Sequence, residues 1–226
     1  MDFVIEKDGT RNEKGRPLAF IEVAWRRYTK HSRNKAQEIQ GAILPIAEKH
    51  SWDSPFLGAI IAGVFTENSI SQMESVGFKV LYIPYETIVD AFASEGIDVS
   101  FDEGTEDNVF KKCVRSIQKS PKTKLNRIKN VLVDSNKKSI DSFKSSLKIA
   151  LSKMVDSITV IPLYGMNAEF HNIDIAIAFI TGYSSDVSAC EFRKFEIIVR
   201  YTNGDTIDAS FADKEKAVSF LAYLRR

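Results

Sequence analysis

In the first part of the chain, short apolar runs alternate with segments of helical periodicity. Four runs rich in β-branched and aromatic residues predict strands, at residues 2–6, 18–23, 57–65 and 79–83. Apolar spacings of three and four predict a helix from Ser32 to about His50, which Pro45 can kink, and a shorter helix over residues 68–76. The order β-β-α-β-α-β predicts an α/β fold with a mixed sheet whose middle strands are covered on both faces.

Helical spacing replaces this alternation between residues 106 and 155. It predicts three helices, with breaks near Pro121 and at Ser135 and Asn136. The last part of the chain has a mixed pattern, with strands predicted at residues 158–163, 173–181, 195–201 and 206–211 and a closing helix at 213–224. The Asn203-Gly204 pair predicts a type I′ turn between the last two strands.

These patterns divide the chain into three segments. We expect an α/β core over residues 1–105, a basic helical segment over 106–155 and a small α+β domain over 156–226. The two boundaries depend on charge and periodicity alone.

The charged residues are segregated along the chain, although the net charge is only +1. Residues 51–110 contain 11 Asp and Glu and one cation, Lys79, whereas residues 111–153 contain 13 Lys and Arg and only Asp134 and Asp141. The second block, with a net charge of +11, favours phosphates. A solvated helix face that merely keeps the protein in solution is the other open interpretation.

Several classes of protein do not fit the sequence. No apolar run approaches the roughly 20 residues of a membrane-spanning helix, and residues 1–7 lack a basic leader. The only cysteines, Cys113 and Cys190, are far apart, and with three histidines in the chain they indicate neither a disulfide framework nor a zinc site. We therefore expect a soluble, cytoplasmic protein with no membrane partner.

Two acidic residues near the start of the chain are candidate metal ligands. Asp2 begins the first predicted strand and Glu22 lies near the end of the second, so adjacent antiparallel strands can bring their carboxylates together. Metal-dependent phosphodiesterases use such carboxylates to hold Mg²⁺ beside the scissile phosphate. Glu22 has apolar neighbours in the sequence, and a bound cation would offset the cost of burying its charge. An ion pair with Arg26, Arg27 or another base is the alternative.

This region resembles the core of the PD-(D/E)xK nuclease superfamily, which contains many restriction endonucleases. The similar features are Asp2-Phe-Val-Ile, a glycine-containing loop, the segment from Pro17 to Ala24 with Glu22, and a following helix with Gln37 and Gln40. The resemblance extends over roughly residues 2–90 and implies a restriction-endonuclease-like mixed sheet flanked by helices.

The resemblance also implies a site. Asp2 and Glu22 would be catalytic residues that bind Mg²⁺, or Mn²⁺, and the backbone carbonyl of Val23 would be a further ligand. The family's lysine corresponds to Ala24, which can neither stabilise charge nor position a water. In similar proteins this cation has moved to the following helix or loop, and Lys30 is our candidate for it.

The chain departs from the family in a second respect. Related cores usually have a helix, and often a strand, before the first aspartate, whereas Asp2 here directly follows Met1. The sequence therefore predicts a fragment, a truncated form, or a core whose N-terminal part a partner chain completes.

A basic cluster begins four residues after Glu22. It contains five permanent cations and one histidine, Arg26, Arg27, Lys30, His31, Arg33 and Lys35. Cations in this place could hold the DNA backbone against the metal. The predicted DNA-binding residues are Arg26, Arg27, Arg33, Lys35 and Gln37, although Gln37 is also an ordinary polar position on an amphipathic helix.

Three functions remain open at this stage. The first is a Mg²⁺-dependent DNA endonuclease similar to type II restriction enzymes, acting as a homodimer. The second is a nuclease-fold protein that binds nucleic acid or a partner chain without cutting. The third is an assembly subunit whose basic helices contact an acidic protein. Residues 156–226 are expected to serve target recognition or dimerisation.

Overall fold

In the computed structural model, the chain is divided between two units. The first unit comprises residues 1–4, 19–45 and 56–147, and the second comprises residues 5–18, 46–55 and 148–226. The structure describes residues 1–27, 32–102, 104–163, 165–184 and 192–225. These units cut the chain at places other than the three predicted segments, because most of the basic helical segment belongs to the first unit.

The first sheet has four strands in the order β1 (Phe3–Lys7), β2 (Arg16–Arg26), β3 (Phe56–Gly63) and β4 (Lys79–Pro84). The strands β2, β3 and β4 are mutually parallel within a mixed sheet. The central strand β3 is apolar along its whole length, as expected for a strand covered on both faces. The predicted α/β fold with a mixed sheet is therefore confirmed.

Three helices follow or connect these strands, α1 (Ser32–Lys49), α2 (Glu67–Ser75) and α3 (Tyr85–Ala93). Burial of Ala36, Ile39 and Ile43 shows which stripe of α1 packs into the core. The helix α2 begins with a capping box, in which Thr66 and Ser69 each accept a hydrogen bond from the backbone of the other. The sequence patterns did not predict α3, which follows Pro84 directly.

The basic helices are α4 (Asp107–Lys119), α5 (Lys122–Ser135) and α6 (Lys137–Leu151). Their bounds confirm the three predicted helices and both predicted breaks. An apolar cluster of Ala91, Ile97 and Ile128 joins α3 to α5, and Cys113 and Ile117 of α4 pack against it.

The second sheet is antiparallel, with the order β6 (Ala168–Phe170), β5 (Val155–Pro162), β7 (Phe195–Tyr201) and β8 (Thr206–Phe211). The predicted hairpin joins β7 to β8, but its turn is not type I′. Only Gly204 has a positive φ, +88°, and the Tyr201 N–H donates to the Asp205 carbonyl at 2.9 Å. A three-residue loop with glycine at its left-handed position explains this pattern.

The predicted strand at residues 173–181 is wrong, because this stretch is the helix α7 (Ile173–Gly182). The Asn172 side chain caps its first turn by accepting from the N–H groups of Asp174 and Ile175. Ala176 and Ile180, four residues apart, are fully buried in the core of the second unit. The run is apolar enough to match a strand by composition, but its cap and its burial follow the helical period.

The chain ends in α8 (Lys214–Leu224), which the Asp213 side chain caps at its first turn. Four of its apolar residues are buried in the same core, Ala217, Phe220, Leu221 and Leu224. No helix in the described ranges is both long and apolar enough to cross a membrane.

Candidate carboxylate site and nucleic-acid interface

The two predicted metal ligands are brought to neighbouring positions. Asp2 precedes β1, and its Oδ2 accepts a hydrogen bond from the Val23 N–H at 2.7 Å. Glu22 is the preceding residue on β2. The predicted pairing of these two strands therefore brings the Asp2 carboxylate next to the residue that follows Glu22.

The Glu22 side chain is largely enclosed, with 14% of its surface exposed. Its Oε2 is buried and makes no hydrogen bond of acceptable geometry, but the Met1 α-ammonium lies 3.2 Å away. This is an ion pair that balances the buried charge. This contact agrees with the alternative interpretation, in which Glu22 pairs with a base of the chain, and the base is the Met1 α-ammonium.

These residues do not complete a metal site. Asp2 already accepts the Val23 N–H through Oδ2, which occupies part of its capacity as an acceptor. In the described part of the chain, no group of three or more His, Cys, Asp or Glu is arranged to hold an ion. Mg²⁺ prefers six oxygen ligands, of which these two carboxylates provide a minority. Binding of Mg²⁺ or Mn²⁺ stays a prediction.

The position of the family's lysine is closed to solvent. Ala24 is 6% exposed and lies opposite Ile61 in the β2–β3 ladder. A lysine would have to reach this place from elsewhere. Our candidate, Lys30, lies outside the described residues.

Part of the predicted DNA-binding cluster is engaged within the first unit. Arg26 and Lys35 both approach the Glu38 carboxylate, at 3.4 and 3.2 Å. Arg26 also donates to the Trp25 carbonyl at 2.9 Å. Glu38 is 58% exposed, so phosphate oxygens could replace it as the partner of either cation at little cost.

Arg27 is held by an aromatic pair. Its guanidinium carbon lies 4.6 Å from the ring centre of Phe110 and 5.3 Å from that of Phe101, and it donates to the Asp102 carbonyl at 2.8 Å. These contacts are cation–π interactions of ordinary length. Arg27 therefore helps to join β2 to the start of α4 and is only partly available to a phosphate.

Arg27 also lines a groove of about 290 Å³ whose other walls are apolar or aromatic. Trp25 lies at this groove, 46% exposed, with its ring 6.1 Å from that of Tyr85. An exposed tryptophan beside a cation is a surface on which a base could stack.

The remaining predicted contacts are only partly visible. Gln37 is exposed on α1. The side chain of Arg33 lies outside the described part of the structure, as does His31 of the basic cluster.

The basic helices present the largest set of cations. Within residues 111–147, ten are exposed, Lys111, Lys112, Arg115, Lys119, Lys122, Arg127, Lys129, Lys137, Lys138 and Lys144. In the described ranges, Arg127 alone among these ten is ion-paired, through two hydrogen bonds to Glu95 of 2.6 and 2.9 Å. Lys111, Arg115 and Lys119 are spaced by four, so they form one stripe along α4 with about 6 Å between neighbours.

A second charged cluster, in the second unit, was missed by the sequence analysis. Asp53 is 2% exposed and accepts hydrogen bonds from Arg16 Nε at 2.5 Å and from the Tyr223 hydroxyl at 2.7 Å. The Lys153 side chain, 9% exposed, donates to the Ser54 carbonyl and to Asp205. These residues are distant in sequence and share no spacing, so no local pattern could have indicated them.

Comparison with models of protein families, with curated proteins and with solved structures finds no match to this chain. The resemblance to the PD-(D/E)xK nucleases therefore depends on the residues themselves.

Proposed function

We propose that this chain binds DNA through the basic helices α4–α6 and does not hydrolyse it. The observation that supports this most is the set of ten exposed cations within residues 111–147, of which only Arg127 has an ion-pair partner among the described residues. A cation already paired within the protein must lose that partner to bind a phosphate. The lysines of α4–α6 need lose only bound water and counterions.

The surroundings of the two carboxylates favour binding without cleavage. Ala24 takes the place of the family's lysine, and the nearest described cations along the chain, Arg26 and Arg27, are engaged by Glu38 and by two aromatic rings. Without a cation beside the scissile phosphate, the charge that develops during hydrolysis is poorly stabilised. The Trp25 groove could add a stacking contact to the binding.

The test is DNA affinity as a function of salt. Labelled duplex DNA is titrated with the full chain in EDTA, and fluorescence anisotropy gives the Kd at several salt concentrations. The variant Lys111→Glu/Arg115→Glu/Lys119→Glu should bind at least about tenfold more weakly at 0.1 M salt. The slope of log K against log salt concentration should be smaller in magnitude by about 2 to 3, since three phosphate contacts are lost.

The matched control changes the same charge elsewhere. Arg11, Lys14 and Arg193 are exposed cations of the second unit, and their replacement by glutamate alters the net charge equally. If this control weakens binding as much as the α4 variant, only net charge matters and the proposed surface is wrong. Absence of binding by the parent chain at low salt would favour an acidic protein as the partner instead.

A second candidate function is the Mg²⁺-dependent endonuclease activity implied by the resemblance. One contact favours it, the hydrogen bond that brings Asp2 beside Glu22. Plasmid DNA is incubated with the chain in Mg²⁺ or Mn²⁺, and Glu22→Ala is compared with Glu13→Ala, which changes an exposed loop acid. Discrete fragments that disappear only with Glu22→Ala would replace our first proposal with the second.

Self-association and location complete the proposal. A homodimer is what a restriction-like enzyme would need to cut both strands, and a partner chain could instead complete the core. Light scattering of the purified chain, with and without DNA, distinguishes a monomer from a dimer. A cytoplasmic location agrees with a DNA partner and is tested by cell fractionation.

A further inference from the structure

The second unit contains a cavity of about 360 Å³, which is in the size range of small-molecule sites. Its wall holds four cations and a single acid, Lys7, Arg16, Lys153, Arg225 and Asp53. The rest is mainly apolar, with Leu18, Met154, Val155, Ile173 and Leu224. Two of these cations pair with acids outside the wall, Arg225 with Asp174 at 2.7 Å and Lys153 with Asp205 at 3.2 Å. The wall itself thus combines more cations than acids with a hydrocarbon surface.

Asp53, the acid that lines the cavity, already has partners within the protein. Asp53 accepts from Arg16 and from Tyr223, and its second oxygen lies 3.4 Å from His50 Nδ1. The Arg16 guanidinium also lies over the Tyr223 ring, 5.2 Å from its centre. Since Asp53 engages Arg16 through Nε, the terminal nitrogens of Arg16 are left to face the Tyr201 hydroxyl and a further group in the cavity.

Lys153 is a cation of the wall that its burial disfavours. Its ammonium has Asp205 at 3.2 Å and the Tyr201 ring at 4.9 Å. Burial nevertheless lowers the pKa of Lys153, because the loss of hydration outweighs the attraction of Asp205, and Arg16 adds repulsion. A negative group in the cavity would offset this cost.

Tyr201 adds a second unusual group to the same wall. It is 7% exposed, and its hydroxyl is enclosed without a hydrogen bond of acceptable geometry. Burial raises the pKa of Tyr201, while the nearby Arg16 guanidinium opposes this shift. A buried polar group without a hydrogen bond is uncommon in a protein core. Where one occurs, a water or a ligand often belongs beside it.

We propose that this cavity binds a small organic molecule with one carboxylate or phosphate group and a short apolar body. The anionic group meets Arg16 and Lys153, with Lys7 and Arg225 adding attraction from the exposed side. The apolar body lies against the leucine, methionine and isoleucine side chains. The proposal concerns residues of the second unit alone, so it does not depend on the DNA-binding function proposed for α4–α6.

The test uses three probes of matched size or charge. Hexanoate, hexan-1-ol and inorganic phosphate are titrated into the full chain by calorimetry at constant ionic strength. We expect saturable binding of hexanoate, of phosphate or of both, with hexan-1-ol at least about tenfold weaker than hexanoate because it lacks the charge. The carboxylate and phosphate arms distinguish the two sources of the anionic group.

Variants assign the binding to the cavity. Lys7→Met/Arg225→Met removes two exposed cations from its wall and should weaken anion binding at least about fivefold. The control Arg11→Met/Lys14→Met removes two exposed cations of the same unit that do not line the cavity, and it should bind like the parent.

A second readout comes from fluorescence. The chain has two tryptophans, and Trp52 lies 5.8 Å from the ring of Tyr223, which itself contacts Arg16. In a Trp25→Phe variant, the emission of Trp52 should change with the same Kd as calorimetry. No saturable binding of either anion up to about 10 mM, or equal binding of hexan-1-ol and hexanoate, would overturn the proposal. An equal loss in both double variants would do so too.

Discussion

Cations are used differently in the two units. On helices α4–α6 of the first unit they are exposed and, Arg127 apart, have no ion-pair partner in the described residues up to 147. In the second unit, Arg16 and Lys153 are enclosed and held by acids. Lys153 belongs in sequence to the basic block of α4–α6, yet it lies in the interior of the other unit. Charge density along a chain therefore does not by itself locate a binding surface.

The two units should differ most in stability when an acid that pairs with a cation is removed from each of them. Asp53→Ala leaves Arg16 and the Tyr223 hydroxyl without their shared acceptor inside the second unit, and we expect a loss of about 3–5 kcal/mol in the free energy of unfolding. Glu38→Ala removes the exposed acid shared by Arg26 and Lys35 and should cost less than about 1 kcal/mol. Urea denaturation measures both. Similar losses for the two variants would remove the contrast between the units.

An intermediate effect on the free energy of unfolding is expected when a cation is removed. Lys153→Met deletes the donor to the Ser54 carbonyl and to Asp205, and it should destabilise the chain by about 1–3 kcal/mol. The loss should lie towards the lower limit, because the variant also removes a cation that burial disfavours. Lys119→Met, on the exposed face of α4, should stay within about 0.5 kcal/mol of the parent. A cost for Lys119→Met as large as for Lys153→Met would mean that the exposed lysines also support the fold.

The smallest effect on stability is expected for Arg127 of α5, which pairs with Glu95. Its hydrogen bonds lower the pKa of Glu95, so the pair stabilises the fold at a pH above the ordinary glutamate pKa. This contribution is lost as the pH falls through the lowered pKa of the folded chain. Arg127→Gln should therefore be slightly less stable than the parent near pH 7 and equal to it once the pH is well below the lowered pKa of Glu95 in the folded chain. A difference that persists in acid would point to lost packing rather than lost charge.

Local patterns were enough for most of the secondary structure. The breaks at Pro121 and at Ser135 and Asn136 were predicted because proline and short polar residues disfavour a helix interior, although Pro45 lies within α1 without ending it. The stretch 173–181 was mistaken because isoleucine-rich runs suit a strand and a buried helix equally. Its helical state depends on the Asn172 cap and on packing in the second unit, and only the cap is visible in the sequence.

The sequence also predicted only part of the candidate sites. Asp2 and Glu22 were expected to meet because two strands joined by a loop are neighbours in nearly any sheet, and the Asp2 to Val23 hydrogen bond agrees. The cavity of the second unit unites Arg16, Asp53, Lys153 and Tyr201, which come from distant parts of the chain. Such a grouping follows from tertiary packing alone, and a single sequence holds no record of it.

The chain passes five times between the two units, after Val4, Leu18, Pro45, Pro55 and Leu147. No single cut can therefore separate them. A break after Leu147 would leave Trp52 in one fragment and its ring partners Phe220 and Tyr223 in the other. Each fragment would expose apolar surface that belongs to the core of the second unit, so neither should be soluble alone. When the two fragments are co-expressed, they should instead bind each other, as the fragments of a split-protein reporter do.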